Sequence, residues 1–139
     1  MQDKLQIAFI QADLVWQDAE QNRNNFSQKI RDIDAEMDII ILPEMFTTGF
    51  SMDPQGLAET MDGETISWML QIAERTKSAI CGSLIISENN KYYNRFVFAK
   101  PDGNIEVYNK RHTFTLAGED KVYSAGEEKV VLKYKGWKI

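Results

Sequence analysis

The chain has 139 residues, a length that suits one domain, with 43% hydrophobic residues to build a core and 27% charged residues to keep a surface solvated. Sixteen Lys and Arg stand against 21 Asp and Glu for a net charge of −5, and no basic cluster exceeds Lys110-Arg111-His112, which excludes an electrostatic nucleic-acid face. The single cysteine excludes an intrachain disulfide, one Cys with one His cannot build the usual zinc site, and no apolar run reaches membrane-spanning length. The apolar start LQIAFIQADLVW is broken by Gln6, Gln11 and Asp13 and lacks a cleavage pattern, so a cytoplasmic protein is the default expectation, with neither nucleic acid nor membrane as partner.

Residues 5–14 alternate in part, with Leu5, Ile7 and Phe9 on one side and Ala8 and Ile10 on the other, and predict a central strand. Residues 18–36 carry Phe26, Ile30 and Ile33 at helical spacing with charges between them, the pattern of an amphipathic helix. Residues 37–42 form a second predicted strand, β-branched through Ile39 to Ile41 and stopped by Pro43. These three elements spell β-α-β, a right-handed crossover between parallel strands. Residues 43–63 read as loop. A second helical stripe, Ile66, Met69, Leu70, Ile72 and Ala73, places a helix over 64–78 with Asp62 or Thr65 as its cap.

Residues 79–87 read as a buried strand and 92–99 as an alternating one, with Glu88-Asn89-Asn90-Lys91 as the hairpin loop between them. Pro101-Asp102-Gly103-Asn104 signals a turn, after which 105–109 alternates again. The chain thus switches from β-α units to an antiparallel meander. A strand pattern over 129–134, a turn at Lys135-Gly136 and a further strand starting at Trp137 close the sequence. No repeat, linker or low-complexity segment marks a boundary, so the fold class is α/β in a single domain.

Glu44 follows the apolar strand and its terminating proline, at a strand's C-terminal end, where open α/β sheets bind ligands. Met45, Phe46 and Phe50 around it predict an apolar setting that disfavours the charged carboxylate and suits a general base; a solvated strand-end carboxylate is the competing reading. Lys110 closes the strand IEVYN on the alternation face of Glu106 and Tyr108 and could donate to an oxyanion as it forms, against the plainer reading of a solvated lysine in a basic turn. On pattern alone Glu119, in the loop AGEDKVYSAG, reads as solvated, and His112 as a hydrogen-bonded structural residue. Cys81, beside Ile80, Leu84 and Ile85, reads as a small core residue whose unactivated thiol makes a poor nucleophile.

Three segments in order, LPEMFTTGF, YYNRFVFAKPDGNIEVYNKRHTF and GEDKVYSAG, resemble the carbon-nitrogen hydrolase family, or nitrilase superfamily. The wording PEMFTTGFSM and KRHTF is most similar to its omega-amidase branch, and the likeness runs from QIAFIQADLVWQDAEQN to the final GWKI. The resemblance implies a nitrilase-like four-layer α-β-β-α sandwich, of which this chain supplies the N-terminal part, and sheet-to-sheet homodimers or larger assemblies. It implies hydrolysis of a non-peptide C–N bond in a small-molecule amide through a cysteine thioester, with no metal or cofactor. The substrate it points to is the terminal amide of a small ω-amide of a dicarboxylic acid, such as 2-oxoglutaramate, with ammonia released.

By motif, Glu44 corresponds to the catalytic Glu, Lys110 to the catalytic Lys, Glu119 to the supporting second Glu and Asn94 to a structural Asn. Phe46, Thr47, Phe50 and His112 are the visible candidates to line the substrate pocket. The family's nucleophilic cysteine follows the strand that begins at GWKI, so it is expected beyond Ile139, and Cys81, standing between the Glu and Lys motifs, does not match it. A short, non-catalytic homologue that keeps the half-fold as an interaction or assembly module is the competing expectation. Residues 1–139 alone are therefore expected to be inactive and, with sheet edges unpaired and apolar faces uncovered, poorly soluble. Light scattering and an ammonia assay check this; a monodisperse, cooperatively melting monomer, or ammonia release abolished by Cys81→Ser, is the contrary result.

Overall fold

The apolar runs assemble into one five-stranded sheet in a computed structural model that describes residues 2–139. Its strands lie in chain order: β1 Ile7–Phe9, β2 Ile39–Ile41, β3 Ala79–Glu88, β4 Lys91–Ala99 and β5 Ile105–Asn109. The first three are parallel, with Ile7 opposite Ile39 and Ile39 opposite Ala79, and are joined by α1 Ala19–Arg31 and α2 Glu64–Thr76. Parallel neighbours need such crossovers because a tight turn cannot reverse the chain twice. From β3 onward pairing is antiparallel, Ser83 facing Phe96 and Arg95 facing Asn109. Glu88 pairs with Lys91, and Asn89 and Asn90 both take positive φ (52° and 61°), the two-residue turn that matches strand twist.

Both helices cover one face. Phe26 and Ile30 of α1 and Ile66, Met69 and Ile72 of α2 pack on Ile40, Ile80, Leu84, Ile86 and Val97. On the opposite face a hairpin of β6 Lys133–Tyr134 and β7 Trp137–Lys138 brings Leu132 and Tyr134 onto Ile39, Cys81 and Phe98. The Tyr134 hydroxyl donates to the Asp38 carbonyl at 3.1 Å and accepts from the Ala79 amide at 3.2 Å, which ties the hairpin to the start of two strands. Among the described residues no helix is long and apolar enough to cross a membrane.

The structure corrects several expected boundaries. The first strand is the sheet's edge and not central: it pairs only with β2, and Ile7 and Phe9 are 41% and 76% exposed while Ile10 and Leu14 turn into the helix-side core. α1 stops at Arg31, five residues early, where Asp32 caps it and further acids would face the negative end of the helix dipole. Of the strand expected over 129–134, Lys133–Tyr134 forms β6 and Leu132 extends the pairing by exchanging two backbone hydrogen bonds of 2.9 Å with Ile139.

Neither Asp62 nor Thr65 caps α2. The N-cap is Gly63, and the cap is supplied from outside by Glu59, whose Oε1 accepts from the Thr65 amide at 2.8 Å while its Oε2 accepts the Thr65 hydroxyl proton. Arg23 of α1 donates to Thr65 Oγ1 at 3.0 Å, so this one carboxylate links both helices to the loop before α2. Glu59→Ala is expected to lower unfolding stability by about 1–2 kcal/mol. Chemical denaturation of wild type and variant measures this, and an unchanged midpoint would refute the cap.

Candidate active site

Topology decides which residues can meet. β5 runs parallel to β3 through the intervening antiparallel β4, so the C-terminal ends of β2, β3 and β5 lie at one edge of the sheet, together with the start of β4. Glu44 follows β2, Lys110 follows β5 and Asn94 lies near the start of β4, which brings the three to the same edge.

Glu44 owes its position to the residues after it. Leu42 still pairs, its amide donating to the Cys81 carbonyl at 2.8 Å, and Pro43, which has no N–H, ends the ladder. Met45 then takes a left-handed backbone at φ 48°. Its amide donates to Ser83 Oγ at 2.9 Å, and the Phe46 amide donates to the Ser83 carbonyl at 3.1 Å. Met45 packs with Ile85 and Tyr123, whereas Phe46 enters the helix-side core against Phe26 and Trp68, with ring centroids 5.8 and 5.9 Å away. Only glycine at position 82 admits this docking, because an added Cβ would lie 2.8 Å from Phe46 Cδ1 and 3.0 Å from Leu42 Cβ. The expected apolar setting of Glu44 is thereby corrected: its apolar neighbours point away into two cores, and its side chain is left 50% exposed.

Lys110 continues the β4–β5 ladder, its amide donating to the Asn94 carbonyl at 3.0 Å. Its Nζ donates to Glu44 Oε1 at 2.8 Å and to Glu119 Oε2 at 2.9 Å, and stands 5.3 Å over the Phe50 ring. The reading of Lys110 as a solvated turn residue is set aside by these contacts. So is the solvated reading of Glu119, which opens the 3₁₀ turn Glu119–Lys121 and is fully buried at 0% exposure. Glu119 Oε2 also accepts from the Phe114 amide at 2.6 Å, and its Oε1 accepts from Asn94 Nδ2 at 3.1 Å. Asn94 Nδ2 donates a second bond, at 2.8 Å, to Glu44 Oε1, closing a ring of four side chains.

The charges follow from these contacts. Burial pulls the Lys110 pKa down, but the hydrogen bonds and charges of Glu44 and Glu119 outweigh it and leave it above its ordinary value. Burial likewise pushes Glu119 up, and the Phe114 amide, Lys110 and Asn94 together hold it below the usual carboxylate range. Lys110 is thus an ammonium at neutral pH, a donor and not a base. Two of its three N–H groups are taken by carboxylates, which leaves one for a ligand oxygen. Glu44 Oε1 receives two donors, while its Oε2 accepts none among the described residues and keeps its lone pairs for a proton.

A cavity of about 310 Å³, lined by Glu44, Ser83, Asn94, Phe96, Tyr108 and Lys110 among others, opens beside this ring. That is room for a small molecule. Of the residues expected to line it, Phe46 is in the core and Thr47 is buried, its carbonyl accepting from Asn22 Nδ2 at 2.8 Å. Phe50 flanks the ring through Lys110 and through Phe114, 6.4 Å away, and His112 is exposed outside the lining. Ser83, Phe96 and Tyr108 line the cavity instead. A serine beside a glycine inside the apolar run AICGSLIIS is the signal that would have found Ser83, since a buried hydroxyl needs a partner. Cys81 is buried, and burial pushes its thiol up to about 12, so it stays protonated at neutral pH. Among the described residues no group of three or more His, Cys, Asp or Glu is arranged to hold a metal ion.

The sequence profile of the family described as Carbon-nitrogen hydrolase matches residues 6–139. An omega-amidase, YafV of Yersinia enterocolitica, is 41% identical over 137 residues, which cover 97% of this chain and 52% of that protein. A 2-oxoglutaramate amidase of Bacillus subtilis (strain 168) is 32% identical over 94 residues, 66% of this chain and 36% of that protein. Among solved structures, XC1258 from Xanthomonas campestris, a CN-hydrolase superfamily protein with an arsenic adduct in its active site, superposes with a TM-score of 0.93 at 36% identity, covering 96% of this chain and 51% of that one. The chain spans about half the length of the omega-amidase and of XC1258.

The ring carries a pH signature. Glu119, with its pKa depressed on folding, contributes stability that is present above its ordinary value of 4.5 and is lost as pH falls through the lower folded value. Lys110, with its pKa raised, contributes stability that is present below its ordinary value of 10.5 and is lost as pH rises through the higher folded value. Glu119→Gln is therefore expected to shrink the loss of stability on acidification below pH 4.5, as measured by denaturant midpoints against pH. An acid limb identical to wild type would contradict this assignment.

Proposed function

This chain belongs to the carbon-nitrogen hydrolase family, and we propose that its parent protein hydrolyses the terminal amide of a small ω-amide of a dicarboxylic acid, such as 2-oxoglutaramate, releasing ammonia. The observation that supports the reading is the Lys110 ammonium shared by two carboxylates at the mouth of a cavity, with one oxygen of Glu44 left without a donor among the described residues. The similarity to an omega-amidase and to a 2-oxoglutaramate amidase supports the amide as substrate.

In this reading the nucleophile is a cysteine beyond Ile139. Glu44 Oε2 takes the thiol proton, and the sulfur attacks the amide carbon as the C=O electron pair moves onto oxygen. The remaining N–H of Lys110 stabilises that oxyanion, already in place and already charged. Collapse breaks the C–N bond, the Glu44 carboxylic acid returns its proton to the leaving nitrogen, and ammonia departs from a thioester. Water, deprotonated by the same Glu44, then attacks the thioester carbon, and the acid product leaves as the thiol is restored. Glu119 takes no proton in this sequence; it holds Lys110 in position and keeps it protonated. The reading extends to a cytoplasmic homodimer or larger homo-oligomer, for which sizing of the parent protein is the check.

The test is to sequence the source gene past the codon for Ile139, express the whole frame and assay ammonia release from 2-oxoglutaramate. A cysteine codon soon after the GWKI strand is expected, with activity lowered by about 100- to 10,000-fold in Glu44→Gln. A stop codon directly after Ile139 would move the assignment to an interaction module. Turnover of nitriles without turnover of amides would overturn the omega-amidase assignment and leave the family intact.

A further inference from the structure

We propose that Asn94 is a positioning residue, whose carboxamide nitrogen clamps Glu44 to Glu119 so that one lysine serves both carboxylates and Glu44 keeps a fixed, unbonded oxygen beside the cavity. Asn94 is only 2% exposed and sits on β4, which is paired on both sides, so its backbone cannot drift. Both hydrogens of Nδ2 are committed, one to Glu44 Oε1 at 2.8 Å and one to Glu119 Oε1 at 3.1 Å. That settles which end of the amide is nitrogen, because an oxygen in its place would face two carboxylates.

The other end of the amide makes the case. With Nδ2 on the carboxylates, Oδ1 is buried and has no hydrogen-bond partner among the described residues. Leaving a buried carbonyl without a donor carries a desolvation cost that a hydrogen bond would remove. A residue kept only for packing would satisfy both ends or neither; here one end is left unsatisfied while both hydrogens stay on the acids.

The need for a clamp is electrostatic. Two carboxylates around a single ammonium repel each other. Glu119 is fixed independently by the Phe114 amide, but Glu44 is half exposed and, among the described residues, only its Oε1 is held, by Lys110 and Asn94. Without the amide, Glu44 can swing toward water and rely on Lys110 alone.

The kinetic arm of the test rests on the hydrolase reading above; the labelling arm does not. In the full-length chain, competitive acetylation with acetic anhydride reads the reactivity of Lys110 against the exposed Lys129. Asn94→Ser is expected to raise the relative labelling of Lys110 several-fold with the circular-dichroism spectrum unchanged; unaltered labelling overturns the clamp. In the kinetic arm, Asn94→Ser is expected to lower kcat by about 100-fold, as for a misplaced reacting group, with KM within about threefold of wild type. Asn94→Leu keeps the volume, removes both donors and adds no charge, so it guards against a serine variant that fails to fold. It too is expected to lose kcat, and wild-type kcat in Asn94→Leu refutes the proposal. A wild-type full chain that releases no ammonia removes the hydrolase reading, and the labelling result still decides the role of Asn94.

Discussion

One ammonium stands between two carboxylates that it cannot fully neutralise, and most of the architecture at this edge of the sheet follows from that imbalance. The excess negative charge has to be met by neutral donors held in place by backbone. The Phe114 amide and the Asn94 carboxamide fill that need, one from a turn and one from a strand. Lys110 and Glu44 are 66 residues apart in the chain, so no local motif can bring them together; only the sheet does. The switch from parallel to antiparallel pairing at β3 is therefore a functional feature of the topology. It returns the chain to the edge where β2 ends, so that β5 delivers its lysine there.

Ser83, which also lines the cavity, has a matching role. Through its hydroxyl and its carbonyl it receives the two amides that follow Glu44, and so stabilises a left-handed residue that a methionine would not otherwise adopt. The turn depends on Gly82 for clearance and on Ser83 for hydrogen bonds, two adjacent residues with different physical jobs. Of the four ring residues only Asn94 lies in a strand, while Glu44 and Lys110 directly follow strands and Glu119 opens a 3₁₀ turn; the strand residues Ser83 and Asn94 supply the hydrogen bonds that hold the turn and the carboxylates in place.

The parallel half and the meander were legible in the sequence because each depends on local pattern: β-branched runs and helical stripes. The proline stop likewise placed Glu44 at a strand end, whereas Lys110 read more plainly as a solvated turn residue until the family resemblance marked it. Glu119 was not legible from pattern. AGEDKVYSAG has the composition of a solvated loop, and its glutamate is buried only because Lys110, Asn94 and the Phe114 amide come to it from elsewhere in the chain. The family resemblance marked it where periodicity could not. Phe46 and Thr47, the named pocket candidates, lie elsewhere: after the left-handed turn at Met45, Phe46 enters the helix-side core and the Thr47 carbonyl accepts from Asn22. The cap of α2 escaped because Glu59 acts from outside the helix across a loop, with no capping box to announce it.

The residues after Glu44 are anchored in two separate cores, Met45 in one and Phe46 in the other. A carboxylate mounted this way has little local breathing of its own. Loosening the turn by itself would pull two large side chains out of two packed layers at once, so the small opening motions that loops ordinarily make are closed to it. Glu44 is exposed to water and yet belongs mechanically to the interior, and its position persists for as long as the helix layer and the sheet remain docked.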